Sequence, residues 1–349
     1  MDVFKLNDTA ALLHLSTDQT KELLDNNIIP NIKKSSPSRD TYHVPQLLID
    51  FALETLGLEK AKEFKKFKSD KETIDAFKNR NGVKVISFSN LKGGVGKTSI
   101  AANFAYNMAL LNKRVLLVDM DSQANSSRYF ANRYFTGSSI KNLFDKMSRK
   151  EEINADTIKT FITPISFENR TLDLLPSELS LGRIVEFSRS VFTMPHKKLN
   201  DILKPIKDDY DFIVIDTPPS TGLSLHMALF ASDFVSIVTD AEDFSVNGLN
   251  ELNMEIKEIV DETDHVVKVD SIFINKVKKS NIHSVYIEAI ANLAVAENIE
   301  NVFVVKDSTR FKESQTLHIP LIEYKKELEK KLVTADSILS YAVEKALEA

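Results

Sequence analysis

Cysteine is absent from this 349-residue chain, which removes disulfide frameworks, thiolate zinc sites and cysteine-held iron–sulfur clusters from consideration. Long apolar runs are missing too. None approaches the roughly 18 residues that a membrane span requires, and the opening MDVFKLNDTAALLH lacks the basic-then-apolar build of a signal peptide. The expectation is a cytoplasmic protein with no membrane partner. Excess positive charge is also lacking: the net charge of −5 rules out coating nucleic acid by bulk charge, so any DNA contact must come from a local basic patch. Glycine is scarce, nine in all, yet Gly93, Gly94 and Gly96 fall within four positions of one another. The remainder is ordinary globular material, 43% hydrophobic and 27% charged, enough for one sizeable core plus a smaller attached domain.

Three regions follow from the patterning. Residues 1–58 read as a small helical unit: NDTAALLHL and STDQTKELLDNN carry apolar residues at helical spacing across a short turn, as in helix-turn-helix. IIPNIKKSSPSRDTYHVPQ then resembles a β-wing, and PQLLIDFALETLG a third helix with Pro45 in its first turn and Gly57 past its end. Residues 59–81 are densely charged and read as a linker helix, a candidate for dimer formation. From 82 to 349 short continuous apolar runs alternate with helical patterns: VKVISFS, RVLLVDM, TLDLLP, DFIVID, DFVSIVT, VDSIFIN and NVFVV. Continuous apolar strands are what a parallel sheet covered on both faces requires, so the fold class is α/β, a doubly wound, mainly parallel sheet, closed by a carboxy-terminal helix.

The chemistry concentrates in LKGGVGKTS. Its glycines let the backbone wrap closely round an anion, so that successive N–H groups and the start of the next helix point at phosphate oxygens. A strand, Val83 to Ser89, enters the loop, and a helix with Ile100, Phe104, Met108 and Leu111 on one face leaves it. Lys97 is then expected to reach the β- and γ-phosphates of a nucleotide, and Thr98 to ligate Mg²⁺. Asp119 and Asp121 end one buried strand and Asp216 another, at the carboxyl edge where open α/β sheets bind ligands. Asp216 is the natural Mg²⁺-holding carboxylate of a Walker B strand. Taken alone, Asp119 and Asp121 read equally as strand-end turn formers.

One feature departs from the usual phosphate loop: Leu91 stands where the first glycine belongs, and Lys92 adds a second lysine. KGGVGKTS, VLLVDMDSQAN, LDLLPSELSL and FIVIDTPPS, in this order, resemble the deviant Walker A ATPases, and within them the ParA-type partition ATPases, over about residues 82 to 325. The resemblance implies ATP and Mg²⁺ as cofactors, bound by Lys92, Gly93, Gly94, Val95, Gly96, Lys97, Thr98 and Ser99. It implies a homodimer on ATP binding, in which Lys92 crosses to the partner's phosphates and neutralises charge during transfer as an arginine finger does. It gives Asp121 the task of positioning the attacking water or coupling hydrolysis to the switch, and places Asp119, with Thr98 and Asp216, in the magnesium shell. Ser122 stands where relatives often have proline, a change in loop stiffness. Asn275 falls where some relatives contact adenine; a capping asparagine explains it equally well.

The same resemblance implies non-specific DNA binding through Arg310 and Lys312, with Lys276, Lys278 and Lys279 extending the patch, although such lysines also read as a solvated surface. It further implies a ParB-type centromere-binding partner and a nucleoid-associated location. The amino-terminal unit resembles the winged helix-turn-helix that larger partition ATPases carry, which would place Lys33, Lys34 and Arg39 on the phosphates of operator DNA. The candidate reading helix nevertheless carries Asp18, Glu22 and Asp25 against Lys21, so a dimerisation module stays open. The alternative function is a MinD-like positioning ATPase at the membrane, which would need a basic amphipathic anchor that SILSYAVEKALEA, with one lysine and two glutamates, does not supply.

Overall fold

The computed structural model describes residues 2–13, 15–27, 29–34, 40–55, 82–131, 135, 137–242, 245–263, 265–325, 327 and 334–348. The charged linker of residues 59–81 and Arg39 lie outside them.

In the amino-terminal unit, helices Leu6–Leu12 and Thr17–Asp25 are followed by a strand pair and a third helix, Gln46–Thr55. The second helix starts at a capping box: the Ser16 hydroxyl accepts from the Gln19 amide and the Gln19 side chain accepts from the Ser16 amide, satisfying two amides the helix leaves open. Strands β1 (Val3–Phe4), β2 (Ile32–Lys34) and β3 (Thr41–Pro45) form an antiparallel sheet in the order β1-β3-β2. Pro45 therefore closes a strand, opposite Val3, and the third helix begins one residue later than its sequence suggests.

The large domain is built on eight strands: β4 (Lys84–Ser89), β5 (Val115–Asp119), β6 (Thr163–Ser166), β7 (Thr171–Leu175), β8 (Phe212–Asp216), β9 (Phe234–Asp240), β10 (Lys268–Val277) and β11 (Asn301–Lys306). Their order is β11-β10-β9-β4-β8-β5-β7-β6, parallel throughout except for the β6–β7 hairpin at one edge. Every residue of β5 and β8 is buried, as helices on both faces demand. Strand β6 is not marked in the sequence pattern, because Pro164 interrupts it and of its four residues only Ile165 is buried. A proline is tolerated there because an edge strand needs fewer ladder hydrogen bonds.

Two helices lock the phosphate-loop side of the sheet. Lys97–Leu110 is buried along almost its whole length, and Asp336–Leu347 packs against it through Phe104 and Tyr341, whose rings lie 5.0 Å apart. The second helix is pinned from inside by a buried pair, Lys345 to Asp270 at 2.9 Å, with the Tyr341 hydroxyl donating to the same carboxylate. The result sets the carboxyl ends of β4, β5, β8, β9 and β10 side by side at one edge, where the loops that follow them converge.

Candidate nucleotide site

Residues 90–96 form a tight loop from β4 into the helix Lys97–Leu110. Gly94 (φ +77°) and Gly96 (φ +100°) occupy the left-handed region that side chains disfavour. Gly96 has a second constraint: a Cβ there would lie 2.2 Å from Asn275 Nδ2, which donates to the Val95 carbonyl at 2.8 Å. Asn275, at the end of β10, thus holds the loop from beneath with its amide. Gly96→Ala should push that amide away and strain the backbone, so Mg²⁺-ATP affinity measured by calorimetry is expected to fall by about tenfold or more while the circular dichroism spectrum is kept. Affinity within twofold of the parent would contradict this reading of Asn275.

The two lysines of the loop face different ways. Lys97 is 6% exposed, and its ammonium folds under the loop to donate to the Lys92 carbonyl at 3.2 Å. Burial lowers its pKa, opposed by the charges of Asp216 and Asp121. Lys92 instead turns to the end of β9, where it meets Asp240 at 2.9 Å and Glu242 at 2.7 Å. Burial works against its charge, but the hydrogen bonds it donates to Glu242 and Asp240 outweigh it and raise its pKa. Asn90 sets that direction, accepting from the Lys92 amide at 2.8 Å and donating to the Val238 carbonyl at 2.8 Å.

Three acids lie beyond the lysines. Asp119 and Asp216 are paired across β5 and β8 and fully buried. Asp119 accepts from the Asp121 amide (3.1 Å) and from the Ser127 amide (2.8 Å) and hydroxyl (2.7 Å); Asp216 accepts from Ser126 Oγ at 2.6 Å and from Thr98. Burial, then the charge of Asp216, pushes the Asp119 carboxyl up to about 8, and burial pushes Asp216 up to about 6 despite the Ser126 and Thr98 hydrogen bonds. The charge of Asp216 works against ionising buried Asp119, a cost that a bound cation would relieve. Asp216 Oδ1, moreover, is buried with no hydrogen-bond partner among the described residues. An all-oxygen set of Asp216, Thr98 and Asp119 with an unclaimed lone pair fits Mg²⁺. Asp121 is 6% exposed, held through Gln123 N at 2.9 Å, and its carboxyl is raised by burial.

The site therefore gathers Lys92, Gly93, Gly94, Val95, Gly96, Lys97, Thr98, Asp119, Asp121, Asp216 and Asn275. Ser99 sits one turn into the helix, its hydroxyl accepting from Gln315 at 2.7 Å. Most of the other basic residues lie elsewhere. Arg310 pairs with buried Glu327, and Lys312, two residues on, is exposed. Lys276 donates to the Gly94 carbonyl and so belongs to the loop, while Lys278 lies 3.7 Å from Asp307. Lys33 pairs with Asp25 and Asp40, both at 2.9 Å, and Lys34 with Glu168 at 2.9 Å. Sequence reasoning missed Asp240, which had a readable signal, an acid at the carboxyl end of a parallel strand. It also missed Ser126 and Ser127, whose hydroxyls have none.

A family profile described as an AAA domain matches residues 83–269. The chromosome partitioning protein ParA of Myxococcus xanthus (strain DK1622) is 30% identical over 245 residues, 69% of this chain and 81% of that protein. The chain belongs to the ParA-type family of P-loop ATPases. A putative plasmid partition protein from Borrelia burgdorferi B31, solved bound to AMPPNP, superposes with a TM-score of 0.55 at 26% identity, covering 76% of this chain and 98% of that one. The septum site-determining protein MinD of Pyrococcus horikoshii OT3, complexed with Mg-ADP, shares the fold, with a TM-score of 0.57 at 20% identity over 75% of this chain and 96% of that one. Membership makes the chain an ATPase that uses ATP and Mg²⁺, in a group of partition and positioning proteins. No described helix is long and apolar enough to cross a membrane.

Proposed function

We propose that this ATPase segregates DNA: an ATP-closed homodimer holds DNA without sequence preference, and a ParB-type centromere-binding partner triggers hydrolysis and release. The observation that supports it most is the division of labour between the two loop lysines. Lys97 lies under its own phosphate loop, whereas Lys92 points away to Asp240 and Glu242. A cation held off its own site in a single chain suits delivery to a partner's site, once nucleotide draws it from its acidic pair.

Position and the family resemblance together support the following roles. The loop amides and Lys97 bind the phosphates; Thr98, Asp216 and Asp119 would hold Mg²⁺, which supplies charge neutralisation at the phosphate oxygens. Asp121, close enough to Lys97 for their charges to interact, orients the attacking water, and Lys92 of a second copy meets the charge that builds on the transferred phosphoryl group. Water adds to the terminal phosphorus as the bond to the bridging oxygen breaks, giving ADP and phosphate. Binding of DNA falls to Arg310 and Lys312, with Lys278 and Lys279 extending the patch, while Lys276 stays with the phosphate loop. The amino-terminal unit reads operator DNA through Lys33, Lys34 and Arg39. A membrane-bound, MinD-like role has less support, since the apolar residues Ile338, Leu339, Tyr341, Ala342 and Ala346 of the carboxy-terminal helix are buried in the fold.

Mixed-sequence duplex should bind tightly with ATP and Mg²⁺ and much more weakly with ADP, with an affinity that falls steeply as salt rises from 50 to 200 mM, by about tenfold for each two or so phosphates contacted. Fluorescence anisotropy measures this. Equal affinity in the two nucleotide states would defeat the segregation reading.

A further inference from the structure

Strand β2 is an edge of the amino-terminal sheet, and an edge exposes backbone groups that need cover. The large domain provides it. The Lys33 amide donates to Asn169 Oδ1 at 2.6 Å, in the turn that joins β6 to β7. Lys34 Nζ reaches Glu168 at 2.9 Å and Glu323 at 3.7 Å. Glu323 is 4% exposed and is fixed by the Tyr106 hydroxyl and by Asn169 Nδ2 at 2.8 Å. Arg170 donates to Asn27 Oδ1 at 2.8 Å, and Asn112 donates to the Asn27 carbonyl at 2.7 Å, so contacts to the large domain extend to the end of the second helix.

Chemically, this seat offers Lys34 two carboxyl groups, Glu168 and Glu323, and beside them the Asn169 side-chain oxygen, which accepts from the Lys33 amide. A nucleic-acid backbone likewise offers a lysine closely spaced acceptor oxygens that carry negative charge. The Lys34–Glu168 pair is partly exposed and therefore weak and screened by salt, while buried Glu323 fixes where the wing sits. Resting on the reading of this unit as a DNA reader, we propose that β2 is a latch: Glu168 and Glu323 occupy Lys34 in place of phosphates, and duplex DNA competes with them, so the unit contacts DNA through its wing only after leaving its seat.

Hydrogen exchange at the Lys33 amide of the full chain, with ADP present, reports the latch. A saturating duplex of the DNA upstream of the chain's own reading frame should speed that amide several-fold and leave the Ile272–Ile274 amides of β10 unchanged. Glu168→Gln should speed it without DNA and tighten duplex binding several-fold, and Lys34→Gln added to it should remove the gain. Unchanged Lys33 exchange under saturating duplex would overturn the latch. A chain that binds no duplex with ADP, with or without Glu168→Gln, would overturn the competition by removing the DNA-reader reading. Faster exchange in Glu168→Gln would still register the seat contact in that case, which separates the two failures.

Discussion

Replacing Lys97 by alanine is expected to lower ATP turnover by about 10²- to 10³-fold and to remove the ATP-dependent gain in DNA affinity. The ammonium lies at the centre of the phosphate loop, bonded to the Lys92 carbonyl and within the field of Asp216 and Asp121. Lys97 is 6% exposed, the buried side-chain cation at the start of the helix that leaves the loop. The fold should survive. Burial already disfavours the charged form of Lys97, and its removal leaves the Lys92 carbonyl as the group without its partner. Phosphate release assays paired with a thermal melt would check both halves. Turnover within a factor of two of the parent, at equal stability, would contradict the assignment.

Lys92→Ala should behave differently. Nucleotide affinity is expected to stay within a few-fold of the parent, because Lys92 contacts Asp240 and Glu242 and not the floor of its own loop. Turnover should nevertheless fall by about 10³-fold or more, the scale seen when a charge-neutralising residue supplied from a second subunit is lost. The split between intact binding and lost chemistry marks a group that acts on the transition state and not on the bound nucleotide. Calorimetry with an unhydrolysed ATP analogue, set beside steady-state turnover, separates the two. Equal losses in affinity and rate would place Lys92 in the binding of its own subunit's nucleotide.

Much of the site was legible because its parts are local. A strand, three close glycines and a helix fall within thirty residues, and Asp119 and Asp216 are marked by the continuous apolar strands they end. The strand pair after the second helix and the three amino-terminal helices could also be read, apart from Pro45, which pairs opposite Val3 and closes a strand. What stayed hidden depends on distant partners. The direction of Lys92 is set by Asp240 and Glu242, 148 and 150 positions away. Asn275 supports the loop from 180 positions along the chain, and Lys34 finds Glu168 134 positions away. Strand β6 escaped notice because an edge strand with one buried residue has no apolar periodicity to show. Local pattern reveals which residues could do chemistry; tertiary contacts decide where each ammonium and amide points.

Mixing two inactive variants, Lys92→Ala and Asp121→Ala, measures most directly whether the second lysine serves a neighbouring subunit. In a mixed dimer one of the two sites regains both its own Asp121 and the partner's Lys92, so an equimolar mixture should recover about a quarter of wild-type turnover if subunits pair at random about a two-fold axis. Recovery to that level is the predicted result. Mixed dimers that form, as shown by a tag on one variant retaining the other, yet stay as inactive as either parent would show that Lys92 works within its own chain.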